Sequence, residues 1–207
     1  MQEIINIYAG DIPKNNSNYN GYLGLSLTQK NENHIQWDLT QLPLPFQDAS
    51  IDSFQSEDVF EHIDYYKLVD IINDIYRILK PQALFRLSMP DYNCNILYER
   101  SVYDFYGNIV YDPGGGGTFE NPGHVWFPSY DNVKLLLDKT LFGGNGSIEY
   151  LHYYADKENF VVKSIDYSKG YVKRTPDHDK RVQNPYRPMS IVVDLYKGYV
   201  SKVGSVR

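Results

Sequence analysis

A strand, an amphipathic helix and a second strand follow one another in residues 51–90, which read IDSFQSEDVFEHIDYYKLVDIINDIYRILKPQALFRLSMP. The predicted strands are Ile51 to Ser56 and Leu84 to Met89, and Pro90 ends the second. Between them, from Tyr65 to Leu79, apolar residues recur with the spacing that places them on one face of a helix. They are Leu68, Ile71, Ile72, Ile75 and Leu79. This order is typical of an α/β protein with parallel strands in its sheet.

The ends of two helices can be predicted from the local sequence. Asp64 is placed to cap the first helix, and Pro81 is expected to stop it. A second helix is predicted from about Tyr130 to Leu141, with Ser129 as its cap and the Gly143–Gly144 pair as its end.

Four further strands complete the predicted sheet. They are Glu3 to Ala9, Gly21 to Leu27, His34 to Leu39 and Ser190 to Tyr196. A polar loop, Asp11 to Asn20, joins the first two, and residues 93–128 are irregular. No repeat and no linker divides the chain, so residues 1–207 are expected to form a single domain.

Composition and charge exclude several classes of protein. The chain has 207 residues and a formal charge of −6, which argues against a nucleic-acid-binding protein. No apolar run is long enough to span a membrane, and the first residues, Met1-Gln2-Glu3, are not the basic start of a signal peptide. The single cysteine, Cys94, excludes an internal disulfide, so a cytoplasmic location is expected, and no metal site is predicted. Cys94 itself is read as a partly buried structural residue, and the oligomeric state stays open.

The residues at the ends of the predicted strands, many of them polar, lie at the edge where open α/β sheets bind their ligands. They include Tyr8, Ala9, Gly10 and Asp11 after the first strand, Ser26 and Leu27 after the second, Asp38 and Leu39 after the third, and Ser56, Glu57 and Asp58 after the fourth. Such an edge suits a ligand that offers amines and hydroxyls rather than phosphates, and the chain has no phosphate-binding loop. The alternative is that short polar residues simply end these strands.

Several segments carry a resemblance to a known family. Residues 38–46 read DLTQLPLPF and residues 49–54 read ASIDSF; residues 59–63 read VFEHI, and residues 76–91 contain YRILKP followed by LFRLSMPD. Their order and spacing resemble the class I S-adenosylmethionine-dependent methyltransferases of the type 11 kind. The likeness covers Ile4 to Tyr92 and is greatest to compact members found beside glycan-synthesis enzymes, which omit the usual first helix.

The resemblance implies a Rossmann-like methyltransferase sheet that is mostly parallel, with an antiparallel strand near the C-terminus and a lid or insert after the fifth strand. Residues 1–92 would form the cofactor-binding half, and residues 93–207 the lid, the acceptor side and the last strands. The implied cofactor is S-adenosylmethionine and the implied partner is a small-molecule acceptor.

The resemblance also implies a role for each strand end. The turn from Tyr8 to Asp11 would face the methionine part of the cofactor, Ser26 and Leu27 its ribose, and Asp38 and Leu39 its adenine. Ser56, Glu57 and Asp58 would form the floor near the methyl group, and His62 would brace that loop.

Two residues depart from the family pattern. The family's first turn is rich in glycine because a side chain there would occupy the cofactor's space, yet this chain has Tyr8 and Ala9. The second strand of the family usually ends in Asp or Glu, and here the matching residue is Ser26. Losing one charge-assisted contact to the ribose would cost about 1.5–3 kcal/mol of binding energy.

Three features of the second half remain open to more than one interpretation. His124 is a candidate general base, with Glu57 or Asp58 as a lesser choice, but it could instead pack under Trp126 and bond a loop carbonyl. The Gly114–Gly117 run is read as a mobile lid or a disordered loop rather than a phosphate site.

The charged segment Lys169 to Arg181 could hold an anionic group together with Arg187, or could form a solvated surface with pairs such as Asp177–Arg181. Thr175 also reads as the start of a helix.

These observations support two hypotheses. The first is an enzyme that transfers a methyl group from S-adenosylmethionine to an oxygen or nitrogen of a small molecule, such as a sugar or glycan precursor. The second, based on Tyr8 and Ser26, is a binding or scaffolding protein that has lost the cofactor.

Overall fold

The chain folds around one eight-stranded sheet and one small two-stranded sheet. A computed structural model describes residues 4–199. The strands are β1 (Asn6–Ala9), β2 (Tyr22–Ser26), β3 (His34–Gln36), β4 (Ile51–Glu57), β5 (Leu79–Pro90), β6 (Val102–Tyr103), β7 (Ile109–Tyr111), β8 (Ser147–Tyr154), β9 (Phe160–Val162) and β10 (Ser190–Tyr196). The large sheet has the order β3-β2-β1-β4-β5-β10-β8-β9, and β6 pairs only with β7. The predicted start of the first strand, at Glu3, lies outside the described residues.

The direction of the strands confirms the predicted fold class. Strands β1 to β5 pair in parallel, whereas β10 runs antiparallel between β5 and β8. The bounds of β10 match the predicted Ser190 to Tyr196, and β3 is shorter than predicted because it ends at Gln36. The result is a Rossmann-like α/β sheet with an antiparallel C-terminal part.

The helices are shorter than their apolar patterns predict. They are α1 (Leu68–Ile78), α2 (Asn95–Tyr98), α3 (Tyr130–Asp138) and α4 (Leu141–Asn145). A 3-10 turn over Tyr65–Lys67 precedes α1, and Asp64 makes no side-chain capping bond. Leu79 is already the first residue of β5, so the helix ends before Pro81 can stop it.

The glycine pair after α3 does not end a helix, contrary to the prediction. Gly143 and Gly144 both lie within α4. A Cβ at Gly143 would stand 2.7 Å from the carbonyl oxygen of Asp138, so this glycine allows α4 to approach the end of α3. The predicted start of α3 is correct, since the backbone N–H of Ser129 donates to Asn132 Oδ1 at 2.7 Å.

The two faces of the sheet are covered differently. Helices α1, α3 and α4 pack on one face, where Phe54 and Phe85 lie in the main core. Successive residues of a strand point to opposite faces, so Gln55 and Arg86 face the other way. There, Arg86 donates to the carboxylate of Asp194 at 2.7 Å and to two carbonyls of the 166–170 segment. This buried arginine therefore ties the C-terminal segment onto the sheet.

The charged segment near the C-terminus forms turns rather than the predicted helix. Residues 176–178 are a turn, and only a 3-10 turn over Lys180–Val182 follows. Arg181 pairs with Asp179 at 2.6 Å rather than with Asp177. Cys94 is fully buried rather than partly buried.

Candidate functional site

A cleft of about 720 Å³ lies beyond the carboxyl ends of the parallel strands. Its volume lies within the usual range of small-molecule sites. Of the residues predicted from sequence, it is lined by Gly10, Asp11, Leu27, Asp38, Leu39, Asp58 and His62. The remaining predicted residues are buried and do not line it, and they are Tyr8, Ala9, Ser26, Ser56, Glu57 and His124.

Tyr8 points away from the cleft. Its side chain is buried on the opposite face of the sheet, where its ring makes edge contacts with Tyr19 at 5.2 Å and Tyr22 at 6.3 Å. Tyr171 closes the cluster with an edge contact to Tyr19 at 5.7 Å. Because β1 alternates, Ile7 and Ala9 join the core under the helices while Tyr8 faces the other way. The space beyond Gly10 is therefore open.

The carboxylate of Asp11, from the turn after β1, lies at the end of β2. Ser26 is buried, and its hydroxyl donates to Asp11 Oδ1. The Ser26 hydroxyl oxygen in turn accepts from the backbone N–H groups of Thr28 at 3.1 Å and Gln29 at 2.8 Å. The Ser26 hydroxyl lowers the pKa of Asp11, so that carboxylate stays charged at the cleft surface. A charged acceptor thus stands where the second strand ends.

Glu57 is held by donors on the opposite side from the cleft. Its Oε1 accepts from the backbone N–H groups of Lys173 at 2.8 Å and Arg174 at 3.1 Å, and its Oε2 accepts from the Tyr19 hydroxyl at 3.0 Å. Burial, with a smaller contribution from the neighbouring Asp58, raises the pKa of Glu57 to about 7. Its carboxylate therefore anchors the C-terminal segment.

Asp58 reaches the cleft from a backbone conformation that few residues adopt. Its φ is +54°, in the left-handed region that Asp tolerates better than most residues. One carboxylate oxygen pairs with Arg174 Nε at 3.0 Å, and the other is buried with no partner among residues 4–199. Burial raises the pKa of Asp58 despite the positive charge of Arg174.

His124 is buried in a hydrogen-bonded chain. Its Nδ1 lies 2.5 Å from the hydroxyl of Tyr92, which donates to Asp112 at 2.6 Å, and Arg100 pairs with Asp112. Burial, followed by the charge of His62, lowers the pKa of His124 to about 4, so its imidazole is neutral at pH 7.

One residue of the Gly114–Gly117 run, Gly115, packs against the His124 ring. A Cβ at Gly115 would stand 2.6 Å from Cγ of the His124 ring. Gly115 is itself buried in a 3-10 turn, and Asp112 caps this turn by accepting from the N–H of Gly114 at 2.8 Å. Gly115 thus packs in an ordered turn, and the mobility of the run stays a prediction.

Glu61 and His62 lie beside His124. The Nδ1 of His62 is 2.8 Å from the carbonyl oxygen of Gly123, and the two imidazole rings meet edge to face at 4.7 Å. The Glu61 carboxylate is fully buried, and its Oε1 lies 3.7 Å from His124 Nε2. Burial, and then the charge of Asp58, raises the pKa of Glu61 well above its usual range.

The comparisons with known proteins agree with this geometry. Residues 6–87 match the family model described as a methyltransferase domain, of the type 11 kind. The resemblance to the class I, type 11-like methyltransferases is confirmed. No curated protein matches the sequence.

Solved structures extend the likeness of this methyltransferase fold to nearly the whole chain. A SAM-dependent methyltransferase from Methanosarcina mazei has 15% identity and a TM-score of 0.53, covering 96% of this chain and 94% of its own. One from Mesorhizobium loti has 12% identity and a TM-score of 0.51, covering 94% of this chain and 91% of its own. The 1,6-didemethyltoxoflavin-N1-methyltransferase of Burkholderia thailandensis, solved with S-adenosylhomocysteine, has 10% identity and a TM-score of 0.51, covering 96% of this chain and 72% of its own.

S-adenosylmethionine is the expected cofactor of the methyltransferase fold, and the cleft residues fit it. The ligand offers ribose hydroxyls and an adenine amine, and it carries ammonium and sulfonium charges. Four carboxylates line the cleft and can accept from these groups, and they are Asp11, Asp38, Asp58 and Asp64. Lys67 is the only lysine or arginine among the described lining residues. The Asp11 carboxylate, fixed by Ser26, matches the donor set of a ribose.

Several residues of the site were missed by the sequence-based predictions. Trp37, Asp64 and Lys67 line the cleft. Trp37 directly follows β3, so its position after a strand could have indicated it, whereas Lys67 enters only because a turn precedes α1. Glu61 lies in the quoted VFEHI segment, where apolar neighbours on both sides could have indicated that it is buried.

No helix within residues 4–199 has the length and apolar character needed to cross a membrane.

Proposed function

We propose that this protein transfers a methyl group from S-adenosylmethionine to an oxygen or nitrogen of a small molecule. The observation that carries the proposal is the open cleft beyond Gly10, which Tyr8 leaves free by packing on the other face of the sheet. The bound cofactor would supply an activated methyl group, whose carbon–sulfur bond breaks as its bond to the acceptor atom forms.

The residues of the chain would bind and orient the two reactants. Asp11 would accept from the ribose hydroxyls, and Leu27 and Trp37 would pack against the adenine, beside Asp38. Alignment of donor and acceptor supplies much of the catalysis in a displacement of this kind.

Asp58 is the best placed of the three predicted bases. It lines the cleft, and one of its oxygens has no partner among the described residues. The Glu57 carboxylate already accepts from three donors, and His124 is buried and does not line the cleft. We therefore infer that Asp58 takes the proton of a hydroxyl acceptor.

A small polyhydroxylated acceptor, such as a sugar or glycan precursor, suits the same edge. Asp58, Asp64 and His62 present acceptor atoms at the cleft, and these groups match hydroxyls better than phosphates. The idea of a scaffold without cofactor rested on Tyr8 and Ser26. Both residues now have structural roles that leave the cleft intact.

The binding of S-adenosylhomocysteine tests the proposal directly. We expect it to raise the melting temperature, because a ligand at 100 times its Kd stabilises a protein by about 2.7 kcal/mol. Asp11→Asn should weaken binding by about 10- to 100-fold, equivalent to about 1.5–3 kcal/mol for a hydrogen bond to a charged group. Asp131→Asn, on the exposed side of α3, is the matched control and should bind as the parent does. A parent protein with no shift at millimolar ligand would refute the proposal.

A further inference from the structure

The Glu61 carboxyl group is buried without a hydrogen-bond partner in the described part of the chain. It lies in the 3-10 turn Phe60–His62, its exposed fraction is 0%, and neither of its oxygens has a hydrogen-bond partner among residues 4–199. Buried polar groups are nearly always partnered, and an unpaired buried carboxylate opposes folding. Such a side chain points to a positively charged ligand that the described residues do not supply.

Two imidazoles converge on this carboxylate. The ligand atoms offered by Glu61, His62 and His124 all lie within 4.8 Å of one another, and His124 Nε2 is 3.7 Å from Glu61 Oε1. Bonds of about 2.1 Å in a tetrahedral site would place ligand atoms about 3.4 Å apart. His62 is exposed, so a small rotation of its ring about the Gly123 hydrogen bond can close the remaining gap.

Hydrogen bonds to the Nδ1 atoms of the two histidines leave Nε2 of each ring free to act as a ligand, and His124 Nε2 already lies 3.7 Å from Glu61 Oε1. The Gly123 carbonyl accepts from His62 Nδ1, which leaves the lone pair of that ring on Nε2. Tyr92 gives its proton to Asp112, so its oxygen accepts from His124 Nδ1 and leaves a second lone pair on Nε2. Outer partners of this kind orient nearly all histidines that bind metals.

The backbone around the three side chains is already fixed. The N–H of Val125 donates to the Glu61 carbonyl at 2.9 Å, and Trp126 Nε1 donates to the Phe60 carbonyl at 2.9 Å. Gly115 packs against the His124 ring from the other side. The segments that contribute the three ligands are therefore held together without an ion.

We propose that Glu61, His62 and His124 bind a divalent transition-metal ion of the Zn²⁺ class at the edge of the cleft. Two imidazole nitrogens and one carboxylate suit Zn²⁺, Fe²⁺ or Co²⁺, whereas Mg²⁺ and Ca²⁺ prefer oxygen ligands. Three protein ligands leave a coordination position for a substrate, as in catalytic zinc sites. This revises the expectation that the chain has no metal site, and it needs no cysteine ligand.

The role of the ion rests on the proposed methyl transfer. His62 lines the cleft together with Asp58. An acceptor hydroxyl on the open position would have its pKa lowered by the ion, and its proton would pass to the Asp58 carboxylate. The resulting alkoxide is the stronger nucleophile. His124 would then act as a ligand rather than as the general base.

Metal binding is tested on the untagged full-length chain after treatment with a chelator. Titration with Zn²⁺ should show one ion per chain at micromolar Kd or tighter, and Co²⁺ should give the visible bands of a low-symmetry nitrogen–oxygen site. Glu61→Gln and His124→Asn should each weaken Zn²⁺ binding by at least about 100-fold, more than the 10- to 100-fold typical of losing an outer partner. His152→Gln is the control: this buried histidine bonds the Lys163 carbonyl, away from the cluster, and its loss should leave Zn²⁺ binding unchanged.

Melting temperatures separate loss of the site from loss of the fold. Without metal, Glu61→Gln should melt above the parent, because it removes the cost of burying an unpartnered carboxyl group. With Zn²⁺, the parent should gain stability and the variant should not. A parent that neither binds Zn²⁺ nor gains stability from it overturns the metal site, as does a Glu61→Gln variant that still binds Zn²⁺ normally.

The two proposals can fail separately. S-adenosylhomocysteine binding is measured in the presence of chelator, and Zn²⁺ binding in the absence of cofactor. Ligand binding without Zn²⁺ binding overturns the metal site and leaves methyl transfer standing. Zn²⁺ binding without S-adenosylhomocysteine binding supports the metal site and overturns its role in methyl transfer.

Discussion

Replacing Glu57 by Gln should stabilise the protein at alkaline pH and have little effect in acid. Glu57 is 8% exposed, and its three hydrogen-bond donors are the N–H groups of Lys173 and Arg174 and the hydroxyl of Tyr19. A Gln side chain can keep all three contacts, because its oxygen accepts from both N–H groups and its amide donates to the Tyr19 oxygen. The substitution therefore removes the charge and keeps the bonding.

The magnitude follows from the raised pKa. Folding moves the pKa of this carboxyl from its ordinary value of 4.5 to about 7, chiefly through burial. The folded state thus favours the protonated form, and the stability that this preference provides is present below pH 4.5 and lost as the pH rises through 7. At about 1.36 kcal/mol per pKa unit, the charge costs the parent about 3 kcal/mol above pH 8. The gain in Glu57→Gln should therefore be near zero at pH 4.5 and reach about 3 kcal/mol at pH 8.

Urea unfolding at several pH values measures this difference. The free energy of unfolding of Glu57→Gln should separate from that of the parent between pH 5 and 8, and the melting temperature at pH 8 should rise by about 6–12 °C. Glu158→Gln, at an exposed site, is the control and should follow the parent throughout. Parallel stability curves for the parent and Glu57→Gln would refute the reasoning. Retained methyl transfer in Glu57→Gln would also support Asp58 over Glu57 as the base.

Five other substitutions, in three experiments, test the packing. Tyr8→Leu should lower the free energy of unfolding by about 2–4 kcal/mol, yet leave the affinity for S-adenosylhomocysteine unchanged in calorimetry; a large gain in affinity would mean that Tyr8 blocks the cleft. Gly143→Ala should lower the melting temperature, because its Cβ would meet the end of α3. At Gly144 a Cβ meets nothing within 4 Å, so Gly144→Ala should raise the free energy of unfolding by about 0.5–1 kcal/mol. Equal effects of the two variants would contradict the contact between α4 and α3. Arg86→Met should lower the free energy of unfolding by about 3–5 kcal/mol, because it leaves the buried Asp194 carboxylate without its partner. Adding Asp194→Leu to the same chain should recover most of this loss in chemical unfolding. A double variant whose loss equals the sum of the two single losses would refute the pairing.

The hydrophobic pattern was sufficient to predict the fold but not the limits of its elements. The stripe on α1 is buried as predicted, and it also includes Leu79, which belongs to β5. An apolar pattern indicates which residues are buried, but it does not mark the point where a helix gives way to a strand. A strand that enters the core directly after a helix continues the same pattern. The helix end therefore depends on pairing with Ile51 of β4, which lies far away in the sequence.

The candidate site was predicted in its location but not in the roles of its side chains. Position after a strand placed Asp11 and Asp58 correctly at the cleft, because parallel strands end at one edge. The same rule could not tell that Glu57 turns away toward residues 173–174, since those residues follow it by more than a hundred positions. Nor could it show that His124 and Glu61 meet, because their contact depends on how the 123–126 segment folds back.

The short connection between β1 and β2 and the carboxylate of Asp11 have a common cause. With only a 3-10 turn, Ser17–Tyr19, between these strands, the chain crosses the end of β2 closely. The N–H of Ile12 donates to His34 Nε2 at 3.1 Å, and a Cβ on Gly24 would stand 2.9 Å from the Gly10 carbonyl oxygen. This close crossing places Asp11 against the Ser26 hydroxyl. A carboxylate at residue 26 would repel Asp11 there, so a serine is the compatible partner. The departure from the family pattern at Ser26 is thus a consequence of the compact fold rather than a sign that the cofactor site has been lost.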